Sequence, residues 1–125
     1  MNTILLSALL LIFIDSIYIY STKHLFEKHI SIIQGSPLQM NIYGAVACYI
    51  FLVLGLNYFI LNANKSVMDA FILGIVIYGV FETTNLVLFK KWPTYIAVMD
   101  TIWGGILFAL TTYIIKNFKY NIIGL

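Results

Sequence analysis

Arginine is absent from this 125-residue chain, and charge of either sign is scarce. Seven lysines and five acids make up only 10% of the residues, for a formal net charge of +2. Without a guanidinium the chain lacks the side chain best suited to bidentate contact with phosphates and base edges, which argues against a nucleic-acid partner. A single cysteine, Cys48, allows no internal disulfide, and its place inside an apolar run reads as a small packing residue. There is no glycine-rich phosphate loop, Gly-x-Ser-x-Gly elbow, His-Glu-x-x-His pair or Thr-Val-Gly-Tyr-Gly filter string. His24 and His29 stand five apart, off the i, i+4 spacing of two ligands on one helical face, and no cysteine is near them. They read as interfacial histidines. No metal or cofactor is called for, and an enzyme is the less favoured class.

What is abundant is apolar side chain: 62% of the residues, against about 45–50% in soluble domains. A soluble fold of this composition would expose very large hydrophobic patches. A membrane-spanning helix needs about 20 mostly apolar residues, and four such runs are present, at about 2–21, 38–61, 67–89 and 94–115. The fold expected is all-α: an integral membrane four-helix bundle, one domain over residues 1–125, with lipid bilayer as its surroundings. The first run carries Asp15 and no basic leader or small-x-small cleavage site, so it reads as a retained helix and not a signal peptide.

The connectors hold most of the polar residues. The longest, 22–37, is weakly amphipathic, so either the first helix projects past the bilayer or a short interfacial helix follows it. Pro37 suits the opening turn of the second helix. Ser66 is placed to cap the third helix, with Asp69 in its first turn. Lys90-Lys91-Trp92-Pro93 reads as a tight hairpin carrying an interfacial tryptophan. Lys65, Lys116 and Lys119 on one side face Lys23, Lys28, Lys90 and Lys91 on the other. Three against four leaves the orientation undecided.

Besides Asp69 at the start of the third run, three acids fall well inside the apolar runs: Asp15, Glu82 and Asp100. An Asp near the bilayer centre costs roughly 2.5–3.5 kcal/mol on insertion scales, so such residues face the bundle interior and often mark function. Counting from the helix ends puts all three in the half of the membrane nearer the Lys90-Lys91 hairpin, where they are able to share one layer. Tyr78, Glu82 and Asn85 form one stripe of the third helix. Asp100, Trp103 and Gly104 share a face of the fourth, and Asp15 and Tyr18 of the first. Gly44 with Cys48, and Gly74, Gly79, Gly104 and Gly105, are positioned for close helix contact. No lysine lies at the depth of the acids. Three neighbouring carboxylates in a low dielectric cannot all stay ionised without a counter-charge, so protonation, hydrogen bonding, hydration or a bound cation is required.

These residues resemble a family of small membrane proteins, domain-of-unknown-function family 2177. Its pattern Tyr-Gly-x-Tyr-Asp-Leu-Thr-Asn is similar to Tyr78-Gly79-Val80-Phe81-Glu82-Thr83-Thr84-Asn85 here. A Trp-Pro turn matches Trp92-Pro93, and Val-Asp-x-x-Trp-Gly resembles the run ending Asp100-Thr101-Ile102-Trp103-Gly104. Asp15 and Tyr18 match a first-helix Asp-x-x-Trp, with Tyr in place of Trp. Glu82 stands where the family has Asp, Phe81 where it has Tyr and Thr83 where it has Leu. The resemblance covers essentially the whole chain and implies four helices and an occurrence in bacteria and large DNA viruses. It implies no reaction.

Three readings of function follow. The leading one is binding or translocation of a proton or small cation through Asp15, Glu82 and Asp100, with Tyr78, Asn85, Tyr18 and Trp103 in support. The second is a structural or assembly membrane protein, viral for instance, with the acids as a packing latch. The third is an intramembrane lipid-modifying enzyme or accessory, which requires a lateral cavity reaching the acids. Self-association into a homo-oligomer is expected from the small size.

Overall fold

The computed structural model describes residues 3–36 and 41–123, with side chains as far as residue 118. Four helices follow one another: α1 (Thr3–Gln34), α2 (Ile42–Leu56), α3 (Val67–Leu88) and α4 (Thr94–Ile123). A π-helical turn at Asn57–Leu61 prolongs α2. All four are long and apolar enough to cross a membrane. The chain is an integral, multi-pass membrane protein. The expectation for Pro37 lies outside the described residues.

Local signals explain the boundaries. Asn41 caps α2 by accepting from the backbone N–H groups of Tyr43 and Gly44. Ser66 and Asp69 form a reciprocal capping box at the start of α3. Gly35, at φ +71°, closes α1 in the left-handed conformation that glycine adopts without a Cβ penalty. α1 is 32 residues long, about 48 Å at 1.5 Å per residue, well beyond the ~30 Å hydrocarbon core. Its outer end therefore projects past the membrane as one unbroken helix. There it packs on the start of α4, with the His29 ring 2.8 Å from the Tyr95 hydroxyl.

α3 and α4 approach most closely, at three glycines. A Cβ on Gly74 would strike the backbone carbonyl of Gly104, one on Gly104 the Tyr78 ring, and one on Gly105 the side chains of Phe71 and Ile75. Small residues let two helices approach at backbone distance, which is how helices associate where lipid removes the hydrophobic drive. Gly79 makes only an ordinary 3.6 Å contact with Thr101. Gly44 does not lie on an interface: a Cβ there would meet only the Asn41 side chain of its own helix, and Cys48, on the same face, is exposed although it comes near Asp15. α2 instead turns Tyr49, Leu52 and Leu56 inward, and because the helix is apolar all round its sequence periodicity does not reveal that face.

The core joins all four helices through Leu11, Leu52, Leu56, Ile60, Ala70, Leu107 and Phe108. Large apolar side chains such as Phe13, Phe51 and Val87 point outward. A bilayer covers such a surface.

Candidate functional site: a buried ladder of acids and aromatics

Asp15, Glu82 and Asp100 are all buried, at 7%, 0% and 7% exposure. Each points into the bundle from a different helix, and each is held by aromatic donors. Asp15 on α1 accepts a short 2.6 Å bond from the Tyr49 hydroxyl on α2 and a 2.9 Å bond from the Trp103 indole N–H on α4. Asp100 on α4 accepts from the Tyr18 hydroxyl on α1 at 3.0 Å. Glu82 on α3 accepts from the Trp92 indole at 2.8 Å. Tyr18 and Trp103 stack face to face, 4.4 Å between centroids and 2° from parallel, which ties the Asp15 and Asp100 positions together.

Asp15 is bonded to Trp103 and Asp100 to Tyr18, so the two acids are linked crosswise between α1 and α4. Glu82 stands nearest the hairpin. Its carboxyl lies against that of Asp100, with Asn85 beside it. Tyr78 packs its ring on Gly104, and its hydroxyl enters no hydrogen bond among the described residues.

Two members of the ladder do not stand out in the sequence. Tyr49 sits in a uniformly apolar run. Trp92 reads as an interfacial hairpin residue, yet it turns its N–H inward to Glu82. A second polar group lies toward the opposite membrane face. There Asn57 donates to both the Ser7 hydroxyl and the Val53 carbonyl, 2.8 Å each, and the buried Asn57 Oδ1, Thr111 Oγ1 and Thr112 Oγ1 have no partner among the described residues. Between the two groups lie Leu11, Leu52, Leu56 and Phe108, a layer without polar side chains.

The electrostatics of the ladder are lopsided. Among the described residues the one ion pair is Lys23–Glu27, at 3.8 Å on the exposed part of α1. Among the described residues no cation pairs with these acids, and no three of His, Cys, Asp and Glu converge as a metal site would require. Of the carboxyl oxygens, Glu82 Oε2 is buried with no hydrogen-bond partner among the described residues. A buried acceptor so placed costs about 1–3 kcal/mol, and more if charged.

Two cavities approach the ladder. One, of about 520 Å³, opens sideways between α1 and α2 along Ile12, Val46, Tyr49, Ile50, Val53 and Asn57. The other, of about 250 Å³, lies at the hairpin end between α1 and α3 and is lined in part by Gln34, Asn85 and Trp92.

A family model described as "Predicted membrane protein (DUF2177)" matches residues 1–115. No curated protein and no solved structure matches the chain.

Proposed function

The chain belongs to the DUF2177 family of membrane proteins, and from that premise we propose that it is a proton-binding membrane protein whose Glu82 and Asp100 share a proton within the bilayer. One observation carries this reading: the orphaned, fully buried Glu82 Oε2, on a carboxyl that faces a second carboxyl. Two ionised carboxylates in contact repel each other in a low dielectric, and neither has a hydrogen to give. One proton between them removes the repulsion and supplies the missing donor. A metal cation would need further oxygens, and Tyr49, Trp103, Tyr18 and Trp92 already donate to four of those on the three acids.

The apolar layer around Leu11, Leu56 and Phe108 fits a site open to one membrane face at a time, in the manner of a proton-coupled transporter and not a continuous pore. The expected behaviour in proteoliposomes is pH-dependent flux in the wild type and its loss in Glu82→Gln and Asp100→Asn. Equal flux in all three proteins rejects the transport reading.

Asp15 supports a second role within the same ladder. Both its oxygens are satisfied, by donors from two other helices, so it acts as a latch that fixes the register of α1, α2 and α4. Asp15→Asn is then expected to lower thermal stability in detergent while sparing flux. The lipid-modifying reading draws less support, because neither Asp15 nor Asp100 is on the wall of the lateral groove.

A further inference from the structure

Glu82 is completely buried, yet a proton held there is useful only if it can exchange, and two cavities come near it. The lateral groove comes as near as Tyr49, whose hydroxyl is occupied by Asp15. Its polar residues besides Tyr49, namely Asn57, Tyr58 and Asn62, come from the end of α2 away from the acids, and the stretch beside Tyr49 is lined by Ile12, Val46, Ile50 and Val53. That apolar stretch offers water no partners on the way to the acids.

The hairpin cavity differs in position and chemistry. It lies where α1 ends and α3 turns into α4, at a membrane face, and Gln34, Asn85 and Trp92 give it polar groups. Two of these three are also neighbours of Glu82: the Trp92 indole donates to it, and Asn85 stands beside it. At about 250 Å³ the space exceeds the ~30 Å³ that a water occupies in the liquid. The titratable groups facing Glu82 are Asp100 from α4 and Tyr18 from α1, with Asp15 behind them beside Tyr49 of α2. Lys90 and Lys91 are exposed on the hairpin itself.

We infer that the hairpin cavity is a water-binding chamber through which the Glu82 proton exchanges with one membrane face. This rests on the reading of Glu82 and Asp100 as a proton-sharing pair. Trp92 and Asn85 form the inner wall of the chamber, and the Leu11–Leu56–Phe108 layer closes the other direction.

The test is infrared spectroscopy of the full chain in lipid. The band of the protonated carboxyl, identified by its loss in Glu82→Gln, is followed as water is exchanged for D2O. Ile33→Trp, which fills the chamber, is expected to slow the exchange about tenfold, equivalent to about 1.4 kcal/mol of added barrier. Ile33→Phe, a smaller intrusion that preserves the fold if the tryptophan does not, gives an intermediate rate. Ile50→Trp, which fills the lateral groove instead, leaves the rate unchanged. Exchange that is indifferent to both Ile33 substitutions, or slowed by Ile50→Trp, overturns the chamber. A wild type with no protonated-carboxyl band overturns the underlying proton-sharing reading.

Discussion

The two helix pairs of this bundle are built in opposite ways. α3 and α4 meet backbone to backbone over Gly74, Gly104 and Gly105, with no room for a single added carbon. α1 and α2 leave a groove of about 520 Å³ between them and are joined by side-chain bonds: Tyr49 to Asp15, and Asn57 to Ser7. One pair is held by shape, the other by hydrogen bonds. The acids divide along the same line. Glu82 and Asp100 belong to the close pair, whose fixed spacing keeps two carboxyls in contact, and Asp15 belongs to the open pair, where it serves as the tie.

From that contrast, the largest loss is expected from disturbing the close pair. Gly74→Leu sets a side chain against the Gly104 carbonyl, where neither backbone can retreat. Its cost is expected at or beyond the upper end of the ~1–3 kcal/mol typical of overpacking, seen as a collapse of the thermal transition in detergent micelles. Next is the tie. Asp15→Leu strips the partners from the Tyr49 hydroxyl and the Trp103 indole, at about 1–3 kcal/mol by the same assay, whereas Asp15→Asn keeps an acceptor and costs less. Tyr49→Phe removes one of those bonds and should cost about 0.6 kcal/mol, at most about 1.7. Gly44→Ala is the smallest. On an exposed face of α2 it meets no other helix, and relief of glycine's helix penalty should raise stability by up to about 0.5–1 kcal/mol. A loss at Gly44 comparable to that at Gly74 would break the comparison.

The sequence reveals these regions unequally, and the reason is physical. Four apolar runs of spanning length, the Ser66 capping box and the glycines of α3 and α4 are local or compositional signals, and the helices follow them. Asp15, Glu82 and Asp100 stand out because an acid in lipid is costly wherever it occurs. The inward face of α2 is not legible, since a helix apolar on every side has no periodic signal; the small residues Gly44 and Cys48 suggest one face while Tyr49 occupies the other. Trp92 is hidden for a different reason. Tryptophan suits a membrane interface and a buried acid equally well, and only the path of the hairpin aims its N–H at Glu82. Which donor reaches which acid depends on helix tilt and offset, which residue counting does not supply.

The central claim is that a proton resides between Glu82 and Asp100 in the closed bundle. Infrared spectroscopy of the protein in lipid at neutral pH tests it most directly, by comparing wild type with Glu82→Gln and Asp100→Asn. The account predicts a protonated-carboxyl band in the wild type that both substitutions remove or displace. A wild-type spectrum showing carboxylates alone would contradict it.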